Sequence, residues 1–262
     1  MKATTNGIET NYELHGKTGP WLVLSHSLAC SVRMWDPQIA EFSTRYRVLA
    51  YDTRGHGGSD APAGPYTLEQ LADDLHALLA QLGIRAAHYA GLSMGGMIGQ
   101  TCALKYPGVF TTLTLADTTS SYPAEAAPLW ADRIKLAREQ GMGPLVEPTL
   151  ARWFTEPFRK SHPELIASIG ALIRGTPVAG YTGCSAAIPK IRLTARLREI
   201  RSPILVLVGD QDAGTPPAMA KEIHASAPGS KYVEISPAAH LSNLEQPEQF
   251  NRAMDGFLKA NG

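Results

Sequence analysis

A Gly-x-Ser-x-Gly pentapeptide, set between an apolar run and a segment of small residues, constrains the fold of this chain most. It extends from Gly91 to Gly95, with Ser93 at its centre. A serine on a sharp strand-to-helix turn has a strained backbone, so the residues two before and two after it must be small. Such a turn exposes the hydroxyl beside the first free N–H groups of the helix. We therefore predict that Ser93 is a nucleophile and that the Met94 N–H stabilises an oxyanion.

Apolar runs and amphipathic segments alternate on both sides of this turn. Thr67 begins a capping box, and leucines at helical spacing follow it until Gly83, with Asp74 off the leucine face. This alternation is typical of an α/β fold, a mostly parallel sheet with helices on both faces. The context favours a nucleophile over the alternative, a serine that only caps a helix. The strand-like runs cover residues 21–24, 47–51, 113–116, 203–208 and 231–235.

The alternation stops between residues 119 and 198. Short helical pieces replace it, and no strand pattern occurs among them. We predict an α/β core formed by residues 1–118 and 199–262, with a helical cap, residues 119–198, inserted into it. Prolines separate the helical pieces at positions 123, 128, 144, 148, 157, 163, 177 and 189.

The composition indicates an ordinary globular protein whose ligand is a small molecule. Lys plus Arg equals Asp plus Glu, at 24 each, so no net field favours nucleic acid or an anionic membrane. The first residues lack an apolar signal core, and no stretch reaches the ~18 apolar residues of a membrane span, so we expect a cytoplasmic protein. Cys30, Cys102 and Cys184 occur singly, which argues against a disulfide framework and a zinc site.

A nucleophilic serine needs a base, and the base needs a carboxylate, both on loops after strands further along the chain. His240 lies between the last strand and the last helix, whereas His224 lies within a helical pattern. We predict that His240 is the base; the alternative is a histidine that only braces its loop. Asp212 is the favoured acid, because it reaches into the loop after a strand. Asp210 and Asp117 remain as alternatives.

Five motifs, spread over essentially the whole chain, carry a family resemblance. They lie at residues 26–38, 51–57, 91–96, 209–212 and 240–245. They resemble motifs of the α/β-hydrolase superfamily and, more closely, of the 3-oxoadipate enol-lactonases of aromatic-compound catabolism. The chain differs from those lactonases at Ala29-Cys30, where they usually carry Gly-Thr.

The resemblance implies a Ser93–Asp212–His240 triad, with the Leu28 N–H as the second oxyanion donor beside Met94. It implies an acyl-enzyme mechanism that needs no metal or organic cofactor. The implied reaction opens an enol-lactone that bears a free carboxylate. A general carboxylesterase, or a carbon–carbon bond hydrolase acting on meta-cleavage products, would use the same triad. A non-catalytic ligand-binding protein is a further alternative.

A substrate carboxylate needs a cation that faces Ser93. Trp130 and Arg133 lie three residues apart at the start of the cap, so on a helix they share one face. Arg33, on the loop after Leu28, is a second candidate cation. We predict these three residues as the substrate-binding residues. The alternative is that Arg133 is a solvated charge and Trp130 only packs the cap.

Overall fold

A computed structural model describes residues 1–261, which contain one eight-stranded sheet. The strands are β1 (Lys2–Thr5), β2 (Ile8–His15), β3 (Trp21–Ser25), β4 (Arg47–Tyr51), β5 (Ala87–Leu92), β6 (Phe110–Ala116), β7 (Ile204–Gly209) and β8 (Lys231–Ile235). Their order across the sheet is β1-β2-β4-β3-β5-β6-β7-β8. Strand β2 is antiparallel to both of its neighbours, and all other neighbouring pairs are parallel. The predicted α/β fold with a mostly parallel sheet is confirmed.

Two separate pairs of helices pack outside residues 119–198: α2 (Leu68–Gln81) lies against α3 (Met94–Lys105), and α1 (Asp36–Phe42) lies against α11 (Pro247–Ala260). The apolar faces of α2 and α11 are buried, as their periodicity predicts, whereas α3 is buried nearly all round. The other helices outside residues 119–198 are α9 (Pro217–Ser226) and α10 (Ser242–Glu245).

One residue of α2 departs from its predicted position. Asp74 was expected off the buried face, but it is buried and its carboxylate accepts two hydrogen bonds of 2.7 Å from the Arg54 guanidinium. A buried charge is tolerated when it is paired in this way. The prediction was wrong because Arg54 comes from the loop after β4, and the periodicity of one helix carries no information about such a partner.

Between β6 and β7 the chain forms helices only. They are α4 (Ala127–Gln140), α5 (Val146–Trp153), α6 (Glu156–Ser161), α7 (Pro163–Gly175) and α8 (Val178–Ala187). In this part of the described chain, strand-like pairing is limited to one bridge between Ser121 and Arg192. The division into a core and a cap at residues 119–198 stays a prediction.

Helix α8 approaches the core at a contact between two backbones. A Cβ atom at Gly180 would overlap the carbonyl oxygen of Gly55, and Gly55 has a φ of +82°, which side chains rarely adopt. Beside this contact the Cys184 thiol lies 3.8 Å from the Arg54 carbonyl oxygen, to which it donates. The contact therefore leaves no space for a side chain on either surface.

None of the helices formed by residues 1–261 is long and apolar enough to cross a membrane.

Candidate active site

Ser93 lies on the turn between β5 and α3, in a strained conformation. Its φ is 55° and its ψ is −115°, outside the regions that a serine ordinarily adopts. Two hydrogen bonds hold Ser93 in this conformation. The Ser93 N–H donates to the Ala116 carbonyl at 2.9 Å, and the Thr118 hydroxyl donates to the Ser93 carbonyl at 2.7 Å. A Cβ atom at Gly95 would overlap the Ser25 carbonyl oxygen. The turn is thus fixed by contacts on both sides, as strained functional residues usually are.

His240 is hydrogen-bonded to Asp212 beneath the surface of the protein. The imidazole Nδ1 lies 2.8 Å from the Asp212 Oδ2, and both side chains are buried. Asp212 also accepts from the Gly214 N–H at 2.7 Å, and from the Thr215 N–H and hydroxyl at 3.0 and 2.8 Å. This set of donors fixes the carboxylate, which in turn orients the imidazole.

The two partners shift each other's pKa in opposite directions. Burial alone would raise the pKa of Asp212, but the charge and hydrogen bond of His240, together with the Thr215 donors, lower it below its ordinary value. Burial alone would lower the pKa of His240, and Arg152 acts in the same direction. The charge and hydrogen bond of Asp212, with a contribution from Asp117, outweigh both and raise the pKa of His240. The pair therefore favours an imidazolium next to a carboxylate.

The other two candidate acids brace the loops around this pair. Asp117 Oδ1 accepts from the Gly209 N–H at 2.8 Å, and its Oδ2 accepts from the Ser242 hydroxyl at 2.5 Å. Burial, and then the charge of Asp212, raise the pKa of Asp117 to about 8. Asp210 accepts from the Ser236 hydroxyl and the Ala238 N–H. Of the three candidate aspartates, Asp212 is the one hydrogen-bonded to His240.

Ser93 and His240 line the same cavity, which has a volume of about 200 Å³. Within residues 1–261, the Ser93 hydroxyl and the imidazole form no hydrogen bond. Bonds of this kind commonly tighten only when a substrate is present. The structure thus joins Asp212 to His240 and brings Ser93 to the cavity that the imidazole lines.

The loop after β3 supplies one predicted oxyanion donor. Leu28 lines the cavity, and its N–H has no acceptor among the described residues. The next residue, Ala29, has a φ of 59°, and its N–H donates to Nε2 of His56 at 3.0 Å. The second predicted donor, Met94, is the first residue of α3, so its N–H has no intrahelical acceptor.

A pair of buried histidines holds this loop, and the sequence analysis did not identify either role. His56 accepts from Ala29, and the imidazole Nε2 of His26 accepts from the Thr53 N–H at 2.9 Å. Burial, and then the neighbouring His26, lower the pKa of His56 to about 3; burial also lowers that of His26. Both rings are therefore neutral acceptors at neutral pH. Both histidines lie in motifs that carry the family resemblance, His26 at residues 26–38 and His56 at residues 51–57.

Trp130 and Arg133 reach the cavity from α4. Both line it, and the guanidinium carbon of Arg133 lies 4.9 Å from the centre of the Trp130 ring. They share one helix face, as their spacing predicts. Arg133 is half-buried, in contrast to the solvated charge of the alternative interpretation.

Arg33 does not reach the cavity, which corrects the prediction for this residue. Its guanidinium forms ion pairs with Glu13 and, at 3.3 Å, with Asp36. It lines a separate groove, together with residues of α7 that include Leu165. The sequence could not show this placement because Glu13 lies on β2, twenty residues earlier in the chain.

Helix α5 contributes three cavity residues that the sequence analysis missed: Thr149, Arg152 and Trp153. Arg152 is half-buried, and its Nη2 donates to the Thr149 hydroxyl at 3.2 Å. Burial and the charge of Arg133 lower the pKa of Arg152. The Trp153 ring stacks on His240, with 6.1 Å between ring centres and 28° between planes. No sequence signal marks these residues, because their position depends on how the cap helices pack on the core.

The residues that could bind a metal ion, and the three cysteines, form no site of their own within residues 1–261. The described residues contain no group of three or more His, Cys, Asp or Glu side chains arranged to hold a metal ion. Cys30, Cys102 and Cys184 are buried and unbonded to one another.

Residues 20–247 match the sequence model of a known family, described as the alpha/beta hydrolase fold. The chain belongs to the α/β-hydrolase fold family. The Gly-x-Ser-x-Gly turn between β5 and α3, and the order of Ser93, Asp212 and His240 along the chain, match the sequence pattern of that family.

Relatives in the α/β-hydrolase family support a hydrolase activity. The chain is 36% identical to 3-oxoadipate enol-lactonase 2 of Acinetobacter baylyi, over 98% of this chain and 95% of that protein. The crystal structure of an enol-lactonase from Burkholderia xenovorans has a TM-score of 0.96 and 37% identity, covering 99% of this chain and 100% of that one. A thermophilic esterase from Thermogutta terrifontis has a TM-score of 0.94 and 32% identity, covering 99% and 98%.

Proposed function

We propose that this α/β-hydrolase is a serine hydrolase that opens a carboxylate-bearing enol-lactone of the 3-oxoadipate type, in the catabolism of aromatic compounds. The observation that carries the proposal is that two arginines, Arg133 and Arg152, line the cavity of Ser93 and His240. The enol-lactonases among its relatives support the same reaction.

In the proposed acylation, His240 takes the proton of the Ser93 hydroxyl, and the serine oxygen forms a bond to the lactone carbonyl carbon. The N–H groups of Leu28 and Met94 stabilise the oxyanion of the tetrahedral intermediate. Collapse of that intermediate breaks the bond between the carbonyl carbon and the ring oxygen. The ring oxygen takes the proton from His240 and becomes an enol on the same acyl chain.

In the proposed deacylation, water attacks the acyl carbon while His240 takes one of its protons. The bond between the acyl carbon and the Ser93 oxygen then breaks, and the proton returns to that oxygen. The enol tautomerises to a ketone, which makes ring opening hard to reverse. Asp212 stabilises the imidazolium during both steps and keeps the ring in one orientation.

The two arginines suit an anionic substrate. Burial, and then the positive charge of Arg133, lower the pKa of Arg152, so the two guanidinium groups repel each other. A carboxylate between them would remove that repulsion and accept charge-assisted hydrogen bonds. Because the two arginines and Ser93 line one cavity, a carboxylate at the arginines and a carbonyl at Ser93 can belong to one small molecule.

A general carboxylesterase is the second candidate. Apolar side chains, among them Leu28, Met97 and Ile188, form much of the cavity wall and suit a neutral acyl group. The Thermogutta terrifontis structure is described as an esterase with malate bound.

The test compares an anionic and a neutral substrate. The enol-lactone derived from muconolactone and p-nitrophenyl acetate are assayed with the unaltered protein, Arg133→Ala and Arg152→Ala. Loss of a charge-assisted hydrogen bond of about 1.5–3 kcal/mol lowers kcat/KM for the lactone roughly ten- to a hundredfold. The neutral ester should change less than about threefold. Arg138→Ala, an exposed arginine of the same α4, is the matched control and should affect neither substrate.

Equal losses on both substrates, or none on either, would reject the arginines as the carboxylate site and favour the general esterase. A fluorophosphonate that fails to label Ser93 would reject the serine mechanism altogether.

A further inference from the structure

The cap is hydrogen-bonded to the loop that carries His240. At the junction of α5 and α6, the Trp153 carbonyl accepts from the Leu241 N–H at 3.1 Å. Two residues later, the Thr155 N–H donates to the Glu245 Oε1 at 3.2 Å, and the Thr155 hydroxyl donates to the same carboxylate. This connection joins segments that are about ninety residues apart in the chain.

Glu245 also accepts a hydrogen bond from the residue that precedes His240 in the chain. Its Oε2 accepts from the Ala239 N–H at 3.0 Å. The two neighbours of His240 in the chain are therefore both held: Ala239 by the Glu245 carboxylate, and Leu241 by the Trp153 carbonyl. The backbone on each side of His240 is therefore held either by a residue of the cap, Trp153, or by Glu245, which is hydrogen-bonded to the cap.

The Glu245 side chain is 5% exposed, so water cannot readily replace its partners. Breaking these hydrogen bonds would leave a buried carboxylate without donors, which costs far more free energy than it would at the surface. The connection is therefore rigid. The Trp153 ring, whose backbone carbonyl is part of the connection, also stacks on the His240 ring.

We propose that Glu245 is a positioning residue for the base: its carboxylate ties the α5–α6 junction of the cap to residues 239–241, so that the cap, as well as Asp212, orients the His240 imidazole. The inference rests on the proposed role of His240. It assigns a function to the end of the motif at residues 240–245, which the proposed reaction leaves without one. Glu245 itself does not contact the reacting atoms.

The test measures how fast a fluorophosphonate inactivates Ser93 as a function of pH. This rate depends on the serine and its base, and it is independent of which ester or lactone the protein hydrolyses. The variants are Glu245→Gln and Thr155→Val, which removes the hydroxyl donor at nearly constant volume. Thr155→Ser restores the hydroxyl, and Glu248→Gln makes the same chemical change at an exposed position three residues further on.

We expect Glu245→Gln to slow inactivation about tenfold and Thr155→Val about threefold, because a small misplacement of a catalytic group is costly. In both variants the apparent pKa of the inactivation profile should also shift, since the imidazole moves relative to Asp212, Asp117 and Arg152. Thr155→Ser and Glu248→Gln should remain within about twofold of the unaltered protein.

A lower Tm with an unchanged rate and unchanged pH profile would show a purely structural role and overturn the proposal. A shifted profile in Glu248→Gln of the same size would do so as well. If the unaltered protein is not labelled at Ser93, or if His240→Ala is labelled as fast as the unaltered protein, the proposed function fails rather than this inference.

Discussion

Ser93, Asp212 and His240 differ in how far their positions depend on local sequence. The turn at Ser93 is marked by its own pentapeptide, because a Cβ atom at Gly91 would overlap the Gly95 carbonyl oxygen, although β3 and β6 also hold it. The His240–Asp212 pair depends on two loops that follow β7 and β8. Both residues were predictable because each loop follows a recognisable strand.

Removal of any member of the proposed triad should abolish most turnover. Ser93→Ala, His240→Ala and Asp212→Asn should each lower kcat by about 10³-fold or more, because the three groups act as a unit. For the same reason the double variants should lose little beyond the single ones. The measurement is kcat on p-nitrophenyl acetate, with far-ultraviolet circular dichroism as the control for folding.

The matched comparison for the acid is Asp117→Asn. Asp117 accepts from Ser242 and Gly209 and makes no hydrogen bond to the imidazole among the described residues, so its replacement should cost much less kcat than Asp212→Asn. Normal kcat in Asp212→Asn, combined with a large loss in Asp117→Asn, would show that the acid is misassigned.

The pH dependence of kcat/KM should report the charge environment of His240. The base must be neutral, so activity should rise with pH through its pKa, which lies above the ordinary value of 6.5. Asp212 raises that pKa and Arg152 lowers it. The inflection should therefore move to lower pH in Asp212→Asn and to higher pH in Arg152→Ala. Activity that stays flat down to about pH 4 would remove His240 from the mechanism.

At the scale of elements, the approach of α3 to β3 should be sensitive to a single methyl group. Gly95→Ala would place a Cβ atom on the Ser25 carbonyl oxygen, so the start of α3 must shift. We expect a loss of about 1–3 kcal/mol in the free energy of unfolding, together with a lower kcat.

The control for this substitution is Gly256→Ala in α11, where a Cβ atom would meet nothing within 4 Å. An exposed helical glycine replaced by alanine should stabilise the protein by about 0.5–1 kcal/mol. Urea unfolding measures both changes. Equal free energies for the two variants would contradict the close approach at Gly95.

The elements of the core were predictable, whereas contacts between elements were not. The central strands are continuous apolar runs, and α2 and α11 carry apolar residues at helical spacing; these patterns indicate the sheet and the helices that cover it. Asp74 and Arg33 were misplaced because their partners, Arg54 and Glu13, lie in other elements. Arg152 was missed for a related reason: the buried residues of α5, which include Val146, Leu150 and Trp153, recur at helical spacing, but this spacing does not show that the neighbouring Arg152 reaches the cavity.

At the scale of the whole molecule, the neutral histidines His26 and His56 should make the protein sensitive to mild acid. Their pKa values are lowered in the folded state, so the unfolded chain binds protons first as the pH falls below about 6.5. Their stabilising contribution is complete above that pH and is lost towards the folded pKa, which for His56 is about 3.

His56 should contribute a slope on the order of 1.4 kcal/mol per pH unit, with stability falling as the pH falls, and His26 should contribute in the same direction. Urea unfolding between about pH 6 and 4.5 measures it, above the range in which most carboxylates titrate. His56→Gln keeps an acceptor for the Ala29 N–H and cannot titrate, so its slope should be smaller by one such contribution. An unchanged slope would show that His56 does not control acid stability.

The contact between Gly55 and Gly180 limits how this protein can be recombined with its relatives. Because the two backbones touch, neither surface can accept a side chain unless the other withdraws. A cap transplanted from another hydrolase would therefore dock here only if it also brings glycine to the place of Gly180. When chimaeras are designed, donor caps should first be selected for a glycine at this position, and only then for the residues that contact the substrate.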